Sequence, residues 1–191
     1  MFRLFRFLLL WLVIALAGCT PYVEYHRETS EPQPSATIAE GRTPVYRTGV
    51  LTYSPDGGSL DLVLERIESA KTRVWLATYI LSEKRVMQAL ENAQARDVDV
   101  RVMLEPEVYN LPTINRAAFD RLSKKGIDVQ WISAPTVGLH HAKYLIIDDG
   151  YILSTANFSH SSFTENREYF FAGNHPRDLE SLERLFESDR T

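Results

Sequence analysis

The feature that most constrains the fold is an apolar run that does not alternate. Between Arg73 and Ile80 stand Val74, Trp75, Leu76, Ala77, Thr78 and Tyr79, so both parities of a strand are mainly apolar. A strand with one face in water alternates; one that is apolar on both faces is covered on both. Cover is at hand in the neighbouring segments. Residues 60–70 read as a helix that Ser59 or Asp61 can cap. Ser82 opens a second helix, 84–96, with Val86, Leu90 and Ala93 on one face. Further strands are expected at 50–53, 98–104 and 129–132, and a third helix over 112–125, ended by Gly126. Strands alternating with helices predict an α/β chain, an α/β/α sandwich around a mixed central sheet. Residues 47–191 are a comfortable length for one domain, and no internal repeat is visible.

Chemistry concentrates in residues 140–148, where His140, His141, Ala142 and Lys143 lead into an apolar run closed by Asp148. Read as a strand, this stretch puts His141 and Lys143 on one face, with His140 on the other. An imidazole beside an ammonium suits a phosphoryl group: the ring can attack phosphorus or pass a proton, and the ammonium holds oxygens where charge builds. Asp149-Gly150 is a two-residue hairpin signal, and 151–153 start the return strand. Beyond it lie Ser154, Thr155 and Asn157, and then Glu168 on a further strand.

The order His-x-Lys-x4-Asp, hydroxyl residue, Asn and then Glu resembles the signature of the phospholipase D superfamily. The predicted elements from residue 47 onward also resemble its small single-motif members, which include bacterial endonucleases. The resemblance implies a phosphodiester hydrolase working through a phosphohistidine, with no metal or other cofactor. It implies that His141 is the nucleophile or acid/base and that Lys143 binds phosphate oxygens. Asn157 and Thr155 would contact the phosphoryl group. Glu168 would hydrogen-bond the catalytic imidazole. Asp148 belongs to the catalytic motif, although its place at a strand end suits ordering the loop. Two departures bear on the oxygen contacts: Ser154-Thr155 stands where a Gly-Ser pair is usual, and the spacing from Asp148 is one residue short. Because the chain holds one motif where a complete site uses two, the resemblance implies a homodimer with its site on the two-fold axis. The alternative is a second motif in sequence beyond Thr191.

The N-terminal region reads differently. Arg3 and Arg6 precede an apolar run of about a dozen residues ending at Leu16-Ala17-Gly18-Cys19, the pattern of a signal peptide over 1–18. The last four residues resemble a bacterial lipobox, which would make Cys19 a lipidated N-terminus. Cys19 is the single cysteine, so no internal disulfide can form. Residues 19–46, with Glu31-Pro32-Gln33-Pro34-Ser35, read as an extended tether. The expected location is therefore the bacterial envelope, on a membrane surface.

Charge bears on the substrate. Losing Arg3 and Arg6 takes the 21 basic side chains to 19 against 25 acidic, a net charge of −6. That sign opposes the long-range attraction on which nucleic-acid binders rely, although Arg121, Lys124 and Lys125 could form a local basic patch. A lipid anchor would instead hold the domain against phospholipid at high effective concentration. The expectation is phospholipase D-type cleavage, with an envelope nuclease and a non-catalytic phosphate-binding module as the alternatives.

Overall fold

The computed structural model describes residues 48–133 and 138–190. The expected signal peptide, Cys19 and the whole of the expected tether lie outside these residues. Among the described residues no helix is long and apolar enough to cross a membrane.

Seven strands form one mixed sheet. In chain order they are β1 Gly49–Ser54, β2 Arg73–Thr78, β3 Asp99–Leu104, β4 Asp128–Trp131, β5 Lys143–Ile147, β6 Gly150–Ser154 and β7 Glu168–Gly173. Their spatial order is β1-β7-β6-β5-β2-β3-β4. Strands β2, β3 and β4 run parallel, whereas β5, β6, β7 and β1 pair antiparallel from the other side of β2. The non-alternating run is β2, inside the sheet between β5 and β3 and buried over its last five residues. The expected mixed-sheet sandwich is what the chain forms.

On one face the helices α1 Ser59–Ser69, α2 Lys84–Gln94 and α3 Arg116–Ser123 cover the sheet. Val63 and Ile67 of α1 and Val86, Leu90 and Ala93 of α2 meet Val74, Leu76, Val102 and Leu145 in the larger core. A short helix, α4 His160–Thr164, packs Phe163 at its edge. The other face is covered by α5, Pro176–Ser188. Its Phe186 is fully buried, stacked on Trp75 at 5.2 Å and edge-on to Tyr144 at 6.5 Å.

That second face is only half covered. Register puts Tyr144, Leu153, Phe171 and Leu51 in one row across β5, β6, β7 and β1, on the α5 side. Tyr144 is buried under Phe186, but Leu153 is 41% exposed and Leu51 66%. Tyr169 and Tyr53, paired one step along, are also exposed. A contiguous apolar sheet face open to water is unusual in a monomer.

Local detail differs from expectation at three places. Helix α3 begins at Arg116 rather than 112, because Asn115 is used as a buried bracket. Its Oδ1 accepts from Leu81 N at 3.0 Å, and its Nδ2 donates to the carbonyls of Tyr79 and Glu105. Helix α1 is preceded by Gly58, which sits at φ 74° and caps it without any side-chain hydrogen bond, in place of Ser59 or Asp61. Helix α2 is capped by Glu83, whose Oε1 accepts from Arg85 N at 3.0 Å, rather than by Ser82.

Candidate active site

Functional side chains gather where β2 and β3 end and β5 and β7 begin. Strand β5 starts only at Lys143, so His141 sits in the extended segment just before it rather than within a strand. The His141 ring is exposed and packs edge-on against Tyr79, with centroids 4.8 Å apart. Tyr79 follows directly from β2 and is itself buried. Its hydroxyl accepts from Tyr109 N at 2.7 Å, which ties the loop after β3 to the floor beneath His141.

Lys143 is the unusual group. The residue is only 7% exposed, and Nζ lies 5.4 Å from the Tyr79 ring centroid. Nζ donates to the His141 carbonyl at 2.6 Å. Among the described residues it forms no close ion pair. Desolvation therefore pushes the ammonium down to about 8, against a weaker pull upward from the Glu168 carboxylate. Burial, with the Lys143 charge adding to it, also holds the His141 imidazole below its ordinary value. The shift favours the neutral ring, the form able to attack phosphorus. An ammonium buried without an anion gains more from a phosphoryl group than a solvated one does.

The remaining expected residues divide. Glu168 opens β7 and faces the same side of the sheet as Lys143, but its carboxylate accepts from Thr155 Oγ1 at 2.5 Å and makes no hydrogen bond to His141 within the chain. That bond revises Thr155 too. Its one hydroxyl proton goes to Glu168, and its oxygen accepts from Tyr169 N at 3.1 Å, so in this arrangement it orients the carboxylate. Asn157 lies in the turn after β6; its Oδ1 is buried and has no hydrogen-bond partner, so that oxygen does not hold the fold.

Asp148 is displaced from the chemistry. It lies at the opposite end of β5 from Lys143, and its Oδ1 accepts from Thr72 N at 2.8 Å, Thr72 Oγ1 at 2.7 Å and Arg73 N at 3.1 Å. Lys71 N adds a bond of 3.0 Å to Oδ2. These bonds hold the carboxyl below the usual carboxylate range despite partial burial. They also draw Asp148 to φ 50°, so the hairpin turns on Asp148 and Asp149, with Gly150 already paired to Ile147. The carboxylate is a clamp on the loop before β2 and does not reach a substrate bound at His141. Asp148→Ala loses these bonds and leaves in the left-handed conformation a residue without the polar side chain that lets Asp or Asn adopt it, so it should cost about 2–4 kcal/mol in a denaturant melt. Asp148→Asn, which tolerates that φ and keeps one acceptor, should lose less than half as much.

Sequence reasoning missed Tyr79, which lines the site at the end of β2. The signal was there: it stands just where the apolar run meets the loop. Glu105 and Asn115 were missed too, since a buried polar bracket looks the same in sequence as an exposed loop residue.

A mixed sheet with a histidine and a buried lysine entering a central antiparallel strand defines a phospholipase D-like domain. The model of the family described as "Cardiolipin synthase, PLD-like domain" matches residues 63–190, and the chain belongs to that family. It is 31% identical over 124 residues to "Phospholipase D" of Rickettsia prowazekii, covering 64% of this chain and 58% of that protein. With "Phospholipase D" of Rickettsia conorii it shares 29% over 115 residues, or 60% and 54% of the two chains. The match thus spans little more than half the length of these relatives. Among solved structures it is similar to Nuc of Salmonella typhimurium, a phospholipase D family member, with 27% identity and a TM-score of 0.68 over 75% of this chain and 94% of that one. NucT of Helicobacter pylori shares the fold at 18% identity and a TM-score of 0.62, over 75% and 96%.

Proposed function

We propose that this chain is a metal-independent phosphodiester hydrolase acting through a phosphohistidine on His141, and that it cleaves a phospholipid to phosphatidic acid and a free head group. The observation that carries the reading is Lys143, a buried ammonium with no anion of its own, beside an exposed imidazole biased toward its neutral form. His141 attacks phosphorus and the bond to the head-group oxygen breaks. The leaving alcohol takes a proton from a second imidazole. Water then attacks the phosphorus, returns a proton to that second imidazole and frees His141 as the P–N bond breaks.

The second imidazole is His141 of another copy. The half-covered sheet face supports this pairing, because Leu51, Leu153, Tyr53 and Tyr169 offer a self-complementary apolar patch such as a two-fold contact uses. Lipid rather than nucleic acid is favoured by the net charge of −6 outside residues 1–18 and by the lipobox-like segment ending at Cys19, which would anchor the protein in the bacterial envelope.

Vesicles of mixed phospholipids in EDTA test the substrate. Head-group release supports the reading; cleavage of DNA or RNA with intact vesicles would replace it with a nuclease. Phosphate binding that survives while every substrate stays intact would mark a non-catalytic module. Lys143 gives a further expected result. Free Lys143 loses its proton near pH 8, whereas a bound anion holds that proton on. Affinity for inorganic phosphate, read as competitive inhibition, should therefore fall as pH rises through about 8. Lys143→Arg, charged throughout that range, should abolish the fall.

A further inference from the structure

The residue beside the proposed nucleophile is its opposite in environment. His140 is 7% exposed, whereas His141 is open to solvent. Three segments distant in sequence converge on His140. Its backbone N donates to Glu105 Oε2 at 3.2 Å, just beyond β3. Its ring Nε2 lies 3.1 Å from Asp189 Oδ2, just beyond α5. Both residues are themselves held in place. Glu105 accepts from Glu107 N through its other oxygen at 3.2 Å, and its carbonyl accepts from Asn115 Nδ2 at 2.9 Å. The Asp189 carbonyl accepts from Ser133 N at 3.1 Å, on the chain leaving β4.

We propose that Asp189 is a positioning residue for His141, acting through the buried ring of His140. The peptide on the N-terminal side of His141 is gripped by Glu105 at the backbone and by Asp189 at the side chain. On its C-terminal side, the His141 carbonyl is held by Lys143 Nζ. Those bonds leave the His141 side chain little freedom except rotation about its own torsions, with Tyr79 closing one side. Release the His140 ring, and the segment before His141 loses one of its two anchors to the body of the fold. The imidazole would then sample positions out of line with the phosphorus. An in-line attack tolerates little such drift, and about 1 Å of misplacement costs on the order of 10²-fold in rate. The bond also makes α5 part of the catalytic apparatus, since Asp189 is the residue that caps it.

The role in turnover rests on the hydrolase reading; the geometric role does not, and the experiment separates them. Full-length protein carrying isotope-labelled histidine is compared with Asp189→Ala and Asp189→Asn. The His141 ring resonance is assigned by its loss in His141→Asn. Asp189→Ala should broaden or shift that resonance at temperatures well below melting. With phospholipid vesicles it should lower kcat about 10- to 100-fold while KM changes less than about twofold. Asp189→Asn keeps an acceptor for a neutral Nε2–H and should restore both signals to within about threefold of wild type. His140→Phe, which keeps the bulk of the ring but cannot donate to Asp189, should show the losses of Asp189→Ala and provides a second route if Asp189→Ala folds poorly; a folded His140→Phe with wild-type resonance and kcat would overturn the proposal. An unchanged His141 resonance and kcat in folded Asp189→Ala, with only a lower Tm, would overturn the proposal. Equal losses in Asp189→Ala and Asp189→Asn would overturn it as well, because the hydrogen bond would then not be the operative link. A wild-type protein that cleaves nothing would remove the hydrolase reading, while the resonance still decides whether Asp189 orders His141.

Discussion

His141→Ala should leave a folded protein that turns over phospholipid at least about 10³-fold more slowly, because no other group described at the site can form the covalent intermediate. The fold should be indifferent to the change. His141 is exposed, makes no side-chain hydrogen bond among the described residues, and contributes only its edge-on contact with Tyr79. Circular dichroism and the melting temperature should match wild type within about 2 °C, as expected of a surface substitution. Binding of inorganic phosphate should survive, since Lys143 stays buried and charged below pH 8. Activity lost and binding kept would distinguish the removal of a nucleophile from the collapse of its pocket.

Leu51→Asp should be nearly as damaging to turnover without touching the site within one chain. Leu51 is 66% exposed in the single chain, so the monomer loses little by carrying a carboxylate there. In a two-fold dimer packed through this face the charge is buried twice. A cost of about 2 kcal/mol per copy weakens dimerisation about a thousandfold. Light scattering should show a monomer with an unchanged melt, and head-group release should fall by at least about 100-fold, since each half-site then lacks its second imidazole. Loss of dimer with full activity would show that one copy of the motif suffices.

What the sequence disclosed, and what it hid, follows from how far each signal reaches. Strand β2 was legible because burial on both faces leaves an unbroken apolar run, and α2 because Val86, Leu90 and Ala93 keep helical spacing. The His141–Lys143 pair was legible because two residues apart is a local relation. Thr155 was not. A hydroxyl next to the expected phosphate-binding loop looks free until β7 brings Glu168 alongside it, thirteen residues later. For Asp148 the loop-ordering role was legible from its place at a strand end, but its partners were not: residues 71–73 precede it by some 75 positions and become neighbours only when β5 pairs with β2. The His140–Asp189 contact spans 49 residues and joins a loop to a helix end, a relation no spacing rule expresses. The open apolar patch was hidden for a different reason. Leu51, Leu153 and Tyr169 each sit in ordinary alternating strands, and only the position of α5 decides which inward residues stay uncovered.

The central claim is a covalent bond between His141 and the substrate phosphorus, and it can be weighed directly. The protein is mixed with phosphatidylglycerol vesicles in EDTA, quenched at alkaline pH, where phosphohistidine persists, and the peptides are weighed by mass spectrometry. The account predicts a phosphatidyl adduct on the peptide containing His141, present within the first turnovers and absent from His141→Ala. Head-group release at full rate with no adduct on that peptide, or with the adduct on another residue, would contradict it.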